Sequence, residues 1–176
     1  VSLNGGQSSE GQIAQKIMQS WSFTEAFIKN NNLAASVYAA EGWEKDSNEP
    51  QFDSDVYDAA KGEWLVEPSS WEVYLRFLEM LSVSEDKKSG FLSVSIEYYS
   101  PAIAKQWLDL YVAAINEHMQ QREMAKVTRN IQYLQVQIKK TNIAEMQEVF
   151  YKIIEEQIKN KMLAEASPDF AFDTVN

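Results

Sequence analysis

Leu92-Ser93-Val94-Ser95-Ile96-Glu97-Tyr98-Tyr99-Ser100-Pro101-Ala102-Ile103-Ala104-Lys105-Gln106-Trp107 is the stretch on which the reading of this chain turns. Its first half alternates. Leu92, Val94, Ile96 and Tyr98 fall on one side, with Ser93, Ser95, Glu97 and Tyr99 on the other, the period-two pattern of a half-buried β-strand. Ser100-Pro101 then ends the strand and starts a helix. Serine suits the N-cap, and proline suits the first helical position, where no N–H is needed.

Downstream, residues 102–167 contain neither Gly nor Pro. As one helix they would run roughly 100 Å at ~1.5 Å per residue, far longer than a compact domain of this size. The apolar pattern suggests a break. Met124, Val127, Ile131, Leu134 and Ile138 step by three and four in turn, as a heptad seam does. After Thr141-Asn142 the phase changes, and Met146, Phe150, Ile154, Ile158 and Met162 step by four. The expectation is a long helix, a break near Lys139 to Ile143, and a shorter helix that turns back. A single continuous bent helix is the alternative. Beyond Pro168, Phe170 to Val175 alternates again and reads as a last strand.

Upstream, a first hairpin strand is expected from Val83, with a turn over Asp86 to Gly90 and the return strand over Phe91 to Tyr99. Ser69 and Glu72 form a capping box for a helix whose buried face would carry Trp71, Leu75, Leu78 and Leu81. Glu41 to Pro68 is acidic and broken by Gly42, Pro50 and Gly62, an irregular excursion with room for one short strand or hairpin. Near the start, Val1 to Gln7 reads as a loose arm and Ser9 with Gln12 as a capping box. Ile13, Ile17, Met18 and Trp21 follow at helical spacing. A second helix start is expected at Ser22 with Glu25, with Ala26, Phe27 and Leu33 facing a core and Asn30-Asn31-Asn32 as its stop. The fold class is α+β: a small mixed sheet packed with helices, plus a long projecting helix and a returning one. Residues 1–100 and 168–176 form the α/β base, and 101–167 the extended helical hairpin, of a single domain.

Composition narrows the function classes. A hydrophobic fraction of 45% over 176 residues is that of a globular chain. The net charge of -10 and pI near 4.6 argue against a nucleic-acid partner, which needs clustered Lys and Arg. The absence of cysteine removes disulfides, thiolate nucleophiles and Cys-ligated zinc. No run of 18 apolar residues occurs. The chain opens at Val1 and closes at Asn176 just after an apolar stretch, and is expected to be a piece of a longer protein.

Candidate chemistry is thin. His118 is the only histidine, and no second His or Cys accompanies it, so a surface or interface role is expected. Asp53, Asp55 and Asp58 lack the Gly and terminal Glu of an EF-hand loop and read as a solvated acidic loop. Glu155-Glu156 on one helix cannot face each other across a cleft, as a glycosidase pair must. Gly5-Gly6-Gln7-Ser8-Ser9 lacks the lysine of a phosphate loop. No catalytic, cofactor-binding or metal site is assigned. Of the five tryptophans, Trp21, Trp71 and Trp107 read as core, while Trp43 and Trp64 flank the acidic excursion, where they would either stack on sugar rings or pin a loop. The heptad row is the strongest functional signal. It would pack either within a hairpin or between copies in a ring or sheath.

The strand–Ser-Pro–helix text from Leu92 to Trp107 resembles the polysaccharide co-polymerase family, and more narrowly the chain-length determinants of lipopolysaccharide O-antigen (Wzz type). Ile143-Ala144-Glu145-Met146, Ile154-Glu155-Glu156-Gln157 and Met162-Leu163-Ala164-Glu165 are also similar. The resemblance covers most of the chain and is weakest from Ala39 to Glu67. It implies a membrane-proximal α/β base between two transmembrane helices in the inner membrane of a Gram-negative bacterium, with the long helix in the periplasm. Copies would assemble into a homo-oligomeric ring that sets the modal length of a polymer made by a separate O-antigen polymerase, with the growing polysaccharide as a further partner. No catalytic residue or cofactor is implied. Both membrane helices, a Pro-rich stretch before the second of them and a first sheet strand of the family pattern are absent from this sequence. The rival expectations are a structural adaptor with a periplasmic helical hairpin in an envelope export assembly, and a glycan-acting enzyme.

Overall fold

A computed structural model describes residues 7–86, 88 and 91–166. The fold is α+β. The chain divides into two compact units, Val1–Tyr111 and Val112–Asn176. In order come α1 (Gln7–Met18), α2 (Trp21–Asn30), α3 (Ala34–Tyr38), β1 (Ala40–Glu44), β2 (Glu49–Phe52), β3 (Tyr57–Asp58), β4 (Glu63–Trp64), α4 (Ser70–Met80), β5 (Leu81–Glu85), β6 (Leu92–Ile96), α5 (Pro101–Lys140) and α6 (Ala144–Ala166). The boundary between units falls inside α5, so the first turns of the long helix belong with the base.

Local chemistry sets most of the element ends. In α2, the Leu33 amide donates to the Ile28 carbonyl (3.0 Å) and the Asn32 amide to the Lys29 carbonyl (3.2 Å). With Asn32 at φ 54°, this is a Schellman stop, and asparagine tolerates the left-handed conformation better than most residues. α4 opens with the expected capping box: the Ser69 hydroxyl accepts from the Glu72 amide, and the Glu72 carboxylate accepts from the Ser69 amide. The Ser69 hydroxyl also donates to Glu72 Oε2 (2.7 Å), and that bond, with the smaller effect of the Ser69 amide, holds the Glu72 carboxyl below its ordinary range. α5 opens as expected at Ser100-Pro101, where the Ile103 amide donates to Ser100 Oγ (3.3 Å). Two other starts differ from the sequence reading. α1 begins at Gln7, ahead of Ser9, and α2 begins at Trp21 with Ser20 in front of it. The Ser20 hydroxyl donates to the Ile17 carbonyl (2.6 Å), closing the end of α1 rather than capping α2.

The strands make three separate antiparallel pairs among the described residues, β1–β2, β3–β4 and β5–β6, rather than one mixed sheet. Each pair is a local hairpin, and a parallel pairing would need a crossover of about a dozen residues or more that none of these connections provides. The excursion thus holds two hairpins where one was expected. In β5–β6 the register sets Leu81 opposite Ile96, Val83 opposite Val94 and Glu85 opposite Leu92, with Ser82 opposite Ser95 and Ser84 opposite Ser93. One face is therefore apolar and the other lined with serine. α1 packs on this hairpin, where Gln15 Nε2 donates to the Val83 carbonyl (3.2 Å). A Cβ at Gly11 would stand 3.0 Å from Glu85 Oε1, so glycine permits the close approach. The expected last strand, Phe170 to Val175, lies outside the described residues, as does the expected arm Val1 to Gln7 except for Gln7 itself, which opens α1.

The core of the first unit is aromatic. Tyr111 of α5 meets Phe27 (4.7 Å between centroids), Phe23 (5.4 Å) and Phe77 (5.4 Å), and Phe27 also meets Phe77 (5.7 Å). Trp107, one turn earlier, is buried against Tyr98 (4.4 Å), as expected for a core residue. Trp21 and Trp71 are not core: they are 44% and 49% exposed, and meet each other edge to face at the surface. The buried residues of α4 are Val73, Tyr74 and Phe77, while Leu75 is exposed. The phase differs because Phe77 is drawn into the Tyr111 cluster and the Tyr74 hydroxyl reaches the Gln19 carbonyl (2.8 Å). That rotation turns Trp71 and Leu75 outward. Ala26 is likewise exposed, whereas Phe27 and Leu33 are buried.

Two predictions follow from these contacts. Ser69→Ala removes both hydroxyl bonds to Glu72, one to its amide and one to its carboxylate, and keeps the bond from the Ser69 amide. Chemical denaturation should register a loss of about 1 kcal/mol with an unchanged denaturant slope. The second concerns alkaline pH. Burial, reinforced by neighbouring Tyr99, pushes the Tyr98 phenol up to about 12 from its ordinary value of 10.0, and burial also raises Tyr111 strongly, against a smaller opposing effect of its hydrogen bond with Thr24. The folded chain then holds these protons more tightly than the unfolded chain does. Their contribution is complete below pH 10 and is lost as pH rises through about 12. Stability measured against pH should fall above pH 10, and Tyr98→Phe should flatten that slope.

Candidate functional site

The helical pair of the second unit is where the sequence pattern and the geometry converge. The break between α5 and α6 falls at Thr141 to Ile143, inside the predicted window. The helices run antiparallel. Gln120 Nε2 donates to the Ala164 carbonyl, Asn130 Nδ2 approaches Gln157 Oε1 (3.4 Å), and Gln147 Nε2 donates to the Ile138 carbonyl (3.2 Å) and the Thr141 carbonyl (3.0 Å). Gln147 therefore ties the turn together from the far side.

On α5, Val127 and Ile138 are buried and Met124, Ile131 and Leu134 half-buried, so the five heptad residues lie on the helix's sheltered side. On α6 the row stepping by four does not stay sheltered. Phe150 and Ile154 do, but Met146, Ile158 and Met162 are 44%, 45% and 63% exposed. The reason is geometric. Each step of four advances about 40° around the helix, so five such residues drift across nearly half its circumference. The positions of α6 that are not exposed are Gln147, Phe150, Ile154, Gln157, Lys161 and Ala164, which step by three and four alternately. Three of the six are polar. The α6 side of the seam is therefore only partly apolar, and four large side chains that flank it stay in solvent: Met146 and Ile153 on one edge, Tyr151 and Ile158 on the other. The corresponding flanks of α5 are polar, with Glu123, Asn130 and Gln137 on one edge and Thr128 and Gln135 on the other.

Charge is also unevenly shared. Within the second unit α5 carries Arg122, Lys126, Arg129, Lys139 and Lys140 against Glu117 and Glu123, while α6 carries five glutamates against Lys152, Lys159 and Lys161. Ion pairs such as Lys152–Glu148 (3.5 Å) and Lys159–Glu155 (3.2 Å) join neighbours on α6 and leave its acidic excess in place.

The remaining candidates sit elsewhere. Trp43 is half-buried, and its indole N–H donates to Asn48 Oδ1 (3.0 Å), which also accepts from the Ser100 hydroxyl (2.9 Å). Trp64 lies against Tyr57 (5.0 Å) and Tyr38 (6.3 Å). The Trp43 bond lies within the excursion, while Trp64 joins the excursion to Tyr38 of α3. Asp53 and Asp58 accept amide protons in their own turns, from Asp55 (2.8 Å) and from Ala60 and Lys61 (both 3.1 Å). No group of three possible metal-ligating side chains forms among the described residues. No helix among them is long and apolar enough to cross a membrane. His118 is exposed on α5. Comparison of the chain with protein-family models, curated proteins and solved structures finds no match.

Asn48 escaped the sequence reading. A turn residue at φ 55° is legible from its Asp-Ser-Asn setting, but its bond to a serine 52 positions away has no local signal.

The seam and its flank should respond differently to substitution. Val127→Asp buries an unpaired charge, and amide-exchange protection across 112–166 should collapse. Ile158→Gln changes an exposed position, and the same measurement should show protection within about tenfold of the parent.

Proposed function

We propose that this chain is a non-enzymatic regulator of surface polysaccharide length, of the O-antigen chain-length-determinant kind. It acts as a periplasmic scaffold of several copies beside a separate polymerase, held at the inner membrane of a Gram-negative bacterium by helices outside this sequence. The observation that carries the reading is the helical pair. Its α6 edges keep Met146, Ile153, Tyr151 and Ile158 in solvent, where surface heptad flanks ordinarily hold charge. The acidic excess of α6 and the basic excess of α5 make one copy's α6 complementary to the next copy's α5. Such a contact joins two different surfaces, so repeated use generates a ring if the rotation closes. The strand–Ser-Pro–helix junction that resembles the family supports the same reading. No reacting group is required of this chain, because the polymerase forms the glycosidic bonds.

Polysaccharide length in cells lacking the full-length parent, compared with cells carrying it, tests the proposal. A broad ladder should become a clustered modal length when the protein is present. Ile153→Lys together with Ile158→Lys should return the broad ladder while the purified protein keeps its helix content. An unchanged ladder, with the protein expressed and inserted, would instead favour the adaptor role.

A further inference from the structure

On the first unit, two open cavities of about 590 Å³ and 400 Å³ have Arg76 and Tyr99 in both their linings and so lie side by side as a two-part groove. Each volume lies within the ~300–1,000 Å³ range of small-molecule sites. Tyr38, Glu41 and Asp53 line the larger part, and Glu79 and Glu97 the smaller. Arg76 stands where the two parts meet, its Nη1 2.8 Å from Glu79 Oε2.

We propose that this groove binds a neutral oligosaccharide, with sugar residues in both cavities and Arg76 between them. The lining fits that ligand class better than others. Sugar hydroxyls both donate and accept, and the groove offers both roles. A guanidinium presents five donors in a fixed plane, and each carboxylate presents several acceptor sites. Tyrosine rings supply flat apolar faces for the C–H sides of a pyranose and carry a hydroxyl at the rim. Tyr99 is 42% exposed and meets Tyr98 edge to face (5.3 Å); Tyr98 also lines the smaller cavity and is tied down by its hydroxyl, which donates to the Ser36 carbonyl (2.8 Å). An anionic glycan would meet four carboxylates against one cation. A cationic peptide would suit the carboxylates but would place its charge against Arg76. An open groove in two parts takes a run of sugar residues rather than one.

The inference rests on the proposed function for the source of the glycan, and not for the groove. The first test is NMR titration of the purified protein with neutral trisaccharides of glucose, galactose, rhamnose and N-acetylglucosamine. A galacturonate trimer and trilysine complete the panel. At least one neutral trisaccharide should shift the Tyr38 and Tyr99 ring resonances saturably. Arg76→Ala and Tyr99→Ala should each weaken that binding about tenfold, since each removes a partner of the sugar. Both residues are exposed, so the fold should persist. Trp71→Ala, at an exposed aromatic outside the groove, should leave binding unchanged. Silence across the neutral panel, binding of trilysine alone, or neutral binding indifferent to both groove substitutions would overturn the proposal. The ladder experiment separates the two readings. Sugar binding with an unregulated ladder keeps the groove and removes the chain-length role, whereas a regulated ladder without sugar binding does the reverse.

Discussion

The buried hydroxyl of Tyr111 is the point on which the first unit is organised. It donates to the Met18 carbonyl at the end of α1 and lies 3.3 Å from Thr24 Oγ1, which itself contacts that carbonyl at 3.2 Å. Tyr111 and Thr24 are both fully buried. A polar group so placed costs about 1–3 kcal/mol if left unpaired, so the triangle fixes α5 against the α1–α2 corner in one register. The ring of the same tyrosine anchors the Phe23, Phe27 and Phe77 cluster. One side chain thereby sets both the polar and the apolar packing of the base.

A second tie holds the start of the long helix. Ser100 is fully buried and caps α5, and its hydroxyl donates to Asn48. Asn48 in turn receives the Trp43 indole N–H. The irregular acidic excursion is thus bound to the helix N-terminus through one asparagine. Its two small hairpins depend on that bond and on the Tyr38, Tyr57 and Trp64 rings more than on their short ladders.

The helical pair is held differently. Its seam is mixed, with Val127, Ile138 and Ile154 buried but Gln147, Gln157 and Lys161 also facing inward. A seam of this composition fixes register through side-chain amides and gains less from apolar burial than a leucine-rich one would. Apolar surface that would ordinarily lie in the seam sits on the edges of α6 instead. That displacement is the physical basis for proposing neighbouring copies.

The sequence by itself determined the features that neighbouring residues decide. These are the Ser69–Glu72 box, the Asn-rich stop of α2, the Ser100-Pro101 start, the serine and apolar faces of the β5–β6 hairpin, the break after Lys140 and the sheltered side of α5. Each depends on groups a few positions apart, so its chemistry is visible in a short window of text. Tertiary structure alone decided which face of α4 turns inward, the separation of the strands into three pairs, the polar seam of α6, the Asn48–Ser100 tie and the groove around Arg76. These rest on contacts such as Tyr111 with Met18, 93 positions apart, and Gln120 with Ala164, 44 apart. Periodicity shows that a helix has an apolar side. Where several phases are nearly equal, the partner that arrives from a distant part of the chain selects among them, because only the buried contact supplies the difference in free energy.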